Sequence, residues 1–367
     1  MLKRLFKRAN NETQPESPSV GEIVAQPRVG EVVEKPRVIR KLILGVLGVI
    51  VIINSALAFY WSREPDMFNV EEAALKRAGG DANRLVPGYI TAATLTEVAN
   101  TLINKPGGYL SNDVMPPSVF LDNMPNWEWG VLVQVRDLAR ILRNDMSRSQ
   151  SQSAEDPDLA IADPRFHFDN NSWIFPSTEN EYSVALEALN RYLNRLVEQN
   201  GQFFPRADNL RTWLQQVSQR LGDLSNRLSA SVPQAEAQLY EIGDITPTAG
   251  NKSQPESQPE SKKRRKSTPW FQIDDIFFEA RGATWALRHF LTAIAVDFGP
   301  VLQKKNAEAS FRQVINYLKA TQQPIWSPLI LSGRGFGMWA NHSLAMASYI
   351  SRANAGIIDL VNLLVQG

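Results

Sequence analysis

From Leu42 to Ser62 the chain carries no charged residue, and LILGVLGVIVIINSALAFYW (Leu42–Trp61) is apolar almost all round a helix. Twenty residues at about 1.5 Å rise span roughly 30 Å, the thickness of a bilayer's hydrocarbon core. A helix satisfies its own backbone hydrogen bonds and so can cross lipid. Gly45 and Gly48 suit a membrane helix, and Tyr60 and Trp61 stand where an aromatic belt would place them. A cleaved signal peptide is the competing reading, because Ala56-Leu57-Ala58 fits an A-x-A site. About forty residues precede the run, far more than a signal peptide's charged leader, and the run reaches full spanning length. The expectation is therefore an uncut signal-anchor.

Nine basic residues precede the span: Lys3, Arg4, Lys7, Arg8, Arg28, Lys35, Arg37, Arg40 and Lys41. Lys and Arg remain on the cytoplasmic side, so the N-terminus is expected inside and residues 62–367 outside. The chain's net charge is +1; the first 61 residues hold +4 of it, which leaves the remainder at −3. A nearly balanced body does not fit a nucleic-acid binder. Cysteine is absent, which excludes disulfides and thiol catalysis. Only His167, His289 and His342 exist, widely spaced and without a metal-binding i, i+4 pair. No metal and no cofactor is expected.

The sequence divides into a basic tail (1–41), the anchor (42–61), a first helical part (62–245), a linker (246–269) and a second helical part (270–367). In the tail, VGEIVAQPR is followed directly by VGEVVEKPR, a repeat too short and polar to fold. Asn69, Thr94 and Thr178, each three residues before a Glu, read as helix starts. Apolar residues then step by three and four. The seams are Leu132, Val135, Ala139, Leu142 and Met146; Tyr182, Leu186, Leu189, Leu193 and Leu196; Leu210 to Leu228; and Met346 to Leu364. Each seam needs a partner face, which predicts a mainly α fold with a helical bundle beyond the anchor. Residues 149–178 read as a break between helices.

Several motifs invite a chemical reading. Gly335, Gly337 and Ala340 fit a dinucleotide loop, but no second parallel strand has room to follow, so a turn into the last helix is expected. Lys262–Lys266 (KKRRK) is a charge run that solvates a linker. Asp275 and Glu279 share a helix face, and Glu128 lies between Trp127 and Trp129; these carboxylates are the candidates for acid catalysis on a glycan. The charged stretch Arg136–Arg148 reads as a solvated helix face or, equally, as an arginine-rich partner surface. Phe166, Phe168, Trp173 and Phe175 lie in a segment too apolar for a free tail, the candidate partner contact.

Asn123–Tyr182 and Asn341–Leu364 resemble a family of bacterial proteins classed only as a domain of unknown function. The resemblance covers most of the chain after the anchor. It implies a single-pass inner-membrane protein and supplies neither an activity nor site residues. The functional expectation is a non-enzymatic, membrane-anchored scaffold or adaptor of the cell envelope. It would contact lipid and an envelope protein, and Asn54 within the span offers a route to a homo-oligomer. The alternative is a peptidoglycan-acting hydrolase.

Overall fold

In a computed structural model of the protein, the apolar seams are helices. The structure describes residues 35–149, 154–230, 269, 272–325, 330 and 342–366. The nine-residue repeat up to Glu34, Lys262–Lys266 and the Gly335, Gly337 and Ala340 motif lie outside them, while the repeat's last three residues, Lys35–Arg37, open the first helix instead of belonging to an unfolded tail. Every regular element among the described residues is helical, as the seams predict.

Two units divide the chain, with the boundary after Val51 inside the first helix, α1 (Lys35–Trp61). The large apolar side chains of α1 are exposed: Leu42 at 69%, Ile52 at 68% and Phe59 at 74%. The segment Ile39–Trp61 is long and apolar enough to cross a membrane. It is compatible with a single-pass anchor.

The second unit is a helical body. It comprises α2 (Val70–Arg77), α3 (Tyr89–Asn104), α4 (Asn123–Ile141), α5 (Pro157–Phe166), α6 (Thr178–Val197) and α7 (Ala207–Ala230). It continues with α8 (Ile273–Asp297), α9 (Gly299–Lys304), α10 (Glu308–Thr321) and α11 (His342–Gln366). α4 packs along α8, and α7 along α11. α3 lies against α6 and α8, α5 against α6, and α10 against both α8 and α11. Leu132, Val135, Ala139, Leu142 and Met146 are all buried, as are Leu210 to Leu228 of α7 and Met346 to Leu364 of α11 at their seam positions.

The α4–α8 crossing sets the centre. A Cβ added to Gly130 would fall 2.7 Å from the Ala283 backbone nitrogen and closer still to the Glu279 carbonyl oxygen. One added to Gly282 would fall 2.8 Å from the Trp127 carbonyl carbon, and again closer to its oxygen. Only glycine permits so close a backbone approach. Beside it Trp127 of α4 and Trp285 of α8 meet with ring centroids 5.2 Å apart.

Local signals place most helix starts. Asn69 caps α2, its Oδ1 accepting from the backbone N–H groups of Glu71 and Glu72. At α6 the cap is Ser177, one residue before the expected Thr178. Two expectations fail. Thr94 does not open a helix; it is buried inside α3, which begins at Tyr89. Its N-cap, Gly88, has no side chain to offer, and Asp297 from the end of α8 accepts from the Thr91 N–H (2.7 Å) and hydroxyl (2.6 Å) instead. Residues 149–178 are not a simple break, since they contain α5, capped by Asp156 with Pro157 in its first turn.

The charged stretch is likewise not a solvated face. Arg136 donates to the carbonyls of Phe166 (2.6 Å) and Phe168 (2.8 Å), and Arg143 pairs with Glu155 and Asp163. Arg220 of α7 pairs with Asp137. On the far side of α5, Asp158 takes both Arg191 and Arg195 of α6. Arg136, Arg143, Arg191 and Arg195 stitch the 155–168 segment to α4, to the turn that follows it and to α6, and Arg220 ties α7 to α4.

Candidate functional site

Glu128 is two residues of α4 before the Gly130 crossing, and it is fully buried. Its carboxylate pairs with Lys105 Nζ at 2.6 Å, and both side chains are out of contact with solvent. The N–H groups of Leu110 and Ser111 donate to it at 2.8 Å each, and so does the Ser111 hydroxyl. Lys105 also donates to the Gly108 carbonyl. Burial pushes the Glu128 carboxyl up, while Lys105 and the other donors pull it back toward the charged form. This carboxylate therefore organises the loop that leaves α3, with its oxygens occupied by that loop.

Asp275 and Glu279 stand one turn apart at the start of α8, each facing a different helix. Asp275 accepts from Asn126 of α4 at 2.7 Å. Burial, and then the neighbouring Asp274 and Asp122, raise its pKa. Glu279 takes both guanidinium nitrogens of Arg227 from α7, the first at 2.7 Å. Nothing in this geometry brings Glu128 together with Asp275 and Glu279 around one cleft. Among the described residues no group of His, Asp or Glu is arranged to hold a metal.

Further along α8, His289 is buried with its ring stacked on Phe68, centroids 3.9 Å apart. The Phe68 N–H donates to Nε2, so the proton sits on Nδ1 and donates to the Trp285 carbonyl. Burial lowers its pKa from 6.5 to about 4. One turn earlier than Trp285, Arg281 donates to both oxygens of Glu64 and to the Thr321 and Gln323 carbonyls. Glu64 follows the apolar span by three residues. Arg281 and His289 thus tie the segment Glu64–Phe68 to the central helix, a pairing no local motif announces.

The aromatic segment divides. Phe166 ends α5 and is buried, and Phe168 packs half-buried against the core. Trp173 and Phe175 point outward, 59% and 99% exposed, with Ile174 between them at 57%. Thr178 closes this loop by donating to the Asp169 and Ser172 carbonyls. Asn112 ties it to the loop that precedes α4, donating to the Ser172 carbonyl (2.9 Å) and to Glu179 (2.8 Å). That second loop, 105–122, also exposes large apolar side chains, Met115 and Phe120 above all. Among the described residues, seven of the eleven strongly exposed large apolar side chains after Trp61 lie in these two loops, which makes them one feature rather than scattered exceptions. The 105–122 half is missed by sequence reasoning, because its prolines and glycines read as a plain turn region.

Among curated proteins and among solved structures, none matches the chain. A family model described as "uncharacterized protein conserved in bacteria (DUF2333)" matches residues 34–367, the apolar helix α1 and the body that follows it, and the chain belongs to that family.

Proposed function

We propose that this protein is a membrane-anchored scaffold or adaptor of the bacterial cell envelope, with its N-terminus cytoplasmic and residues 62–367 in the periplasm. The observation that carries the reading is the contrast between an apolar helix exposed along its length and a body in which Glu128, Glu279 and Arg281 are paired with the body's own side chains. Arg and Lys cluster before the span, which favours retention of that end inside. Glu128 and Glu279, the strongest candidate acids, are engaged by Lys105 and Arg227, and no geometry favours the hydrolase.

The test is topological. A reporter active only outside the cytoplasm is fused after Gly367, and an N-terminal tag is followed through carbonate extraction. Reporter activity with the tag retained in the membrane supports the proposal. Activity only in the cytoplasm overturns the orientation, and loss of the tag overturns the anchor. A stable partner recovered with the full chain supports the adaptor role. Muropeptide release abolished by Glu279→Gln replaces it with the hydrolase.

A further inference from the structure

We infer that the paired loops 105–122 and 169–178 form a membrane-docking surface, which seats the body on the headgroup region of the bilayer that α1 crosses. The inference rests on the anchor reading and adds a second, peripheral attachment. The exposed tips are Val114, Met115, Phe120, Trp173, Ile174 and Phe175, with Phe175 almost wholly in solvent. Large aromatic and aliphatic side chains in this company partition into the interfacial zone of a bilayer.

The occupant follows from where the loops begin. A Cβ on Gly107 would lie 2.8 Å from the indole ring of Trp61, the last residue of α1, so the loop that carries Met115 and Phe120 starts against the end of the apolar span. A Trp at that position marks the headgroup level. A loop that leaves the same level and exposes apolar tips is the part of the body tethered most directly to that interface, and those tips are assigned to lipid. Asn112 holds the second loop beside it. Neither loop carries a Lys or Arg after Lys105, which is buried, whereas Asp113, Asp122 and Asp169 stand in them. Docking is therefore apolar and favours a zwitterionic surface over an anionic one. Tethering by α1 raises the local lipid concentration, so a shallow contact suffices.

The chain has no cysteine, so single substitutions accept a fluorophore cleanly. Full-length Phe175→Cys and Met115→Cys, each carrying a polarity-sensitive label, are reconstituted in phosphatidylcholine–phosphatidylethanolamine vesicles. Asp208→Cys, at an exposed site on α7, is the reference, and near-UV circular dichroism checks each fold. The expected result is a blue-shifted emission at both loop sites, quenched about twofold or more by lipid carrying a headgroup nitroxide and insensitive to high salt. Emission matching Asp208→Cys and quenched only by aqueous iodide overturns the inference. A blue shift that lipid nitroxide leaves unquenched also overturns it and assigns the patch to protein, a second copy or another segment. A chain that carbonate removes from the vesicles overturns the anchor as well; a retained chain with wet labels overturns the docking alone.

Discussion

α1 and α8 are both long and apolar, at 27 and 25 residues, and the two ways they use apolar surface could hardly differ more. Along α1, an added Cβ at Gly45 or Gly48 would meet nothing within 4 Å. Along α8, the one at Gly282 would strike the backbone of α4. From Leu42 onward α1 carries no charged residue, whereas α8 carries Glu279, Arg281, His289 and Asp297, and each has a named partner on another element. Apolar character alone does not say whether a helix enters lipid or a protein core. Paired polar groups and close-approach glycines mark the core helix, because a protein interior supplies specific neighbours and close packing. A helix free of charged residues, with glycines that face open space, is suited to lipid.

The largest effect that breaks this contrast is expected at the crossing. Gly282→Ala or Gly130→Ala places a methyl group against the backbone of the facing helix, which no rotamer change relieves. The expected loss is about 5 kcal/mol, the extreme of overpacking, and the body should no longer unfold cooperatively. Near-UV circular dichroism of the full chain in detergent reads this through Trp127 and Trp285, while the helix signal of α1 persists. The next largest effect is at Lys105→Met, which leaves Glu128 buried without its counter-ion. It should cost about 3–4 kcal/mol, read as a lower urea midpoint followed by tryptophan fluorescence. A neutral outcome would mean that water reaches Glu128.

Much of this was legible from residue order. Steps of three and four identify α4, α6, α7 and α11 because each presents one stripe to one neighbour. The all-round apolar run identifies α1. The start of α3 was not legible, since its cap is Asp297, two hundred residues away by sequence and adjacent only after folding. α5 was hidden by Pro157 and Pro164, which read as breakers, although Pro157 sits in the first turn where it is tolerated. Of the candidate site residues, sequence could propose carboxylates but could not see that Arg227 and Lys105 would meet two of them. In the aromatic segment it could not tell the inward Phe166 from the outward Phe175, because irregular backbone has no periodicity to read.

The charged groups of α8 also make the body sensitive to acid in a way α1 is not. His289 has its pKa depressed from 6.5 to about 4, first by burial and then by Arg288. Between those values the unfolded chain binds a proton that the folded chain refuses. Stability from this site is present in full above pH 6.5, is lost progressively as pH falls toward about 4, and is flat below. The depression corresponds to about 3 kcal/mol. His289→Gln keeps an acceptor within reach of the Phe68 N–H without a titrating ring. Unfolding measured across that window should show a shallower loss of stability in the variant than in the native chain. Parallel curves would show that the ring is protonated in the folded state.

The smallest expected effect is the sharpest check on α1. Gly45→Ala and Gly48→Ala add methyl groups into open space, on a helix where alanine is a better former than glycine by about 1 kcal/mol per residue. Body stability, carbonate resistance and the mass of the detergent-solubilised particle should all stay unchanged. Small residues in a membrane helix otherwise serve to bring a second helix close, and a methyl at such a contact loosens the pair. A fall in particle mass on Gly45→Ala or Gly48→Ala would therefore mean that α1 has a helical neighbour in the bilayer. Its glycines would then do in lipid what Gly130 and Gly282 do in the core, and the contrast between the two helices would reduce to which partner each one meets.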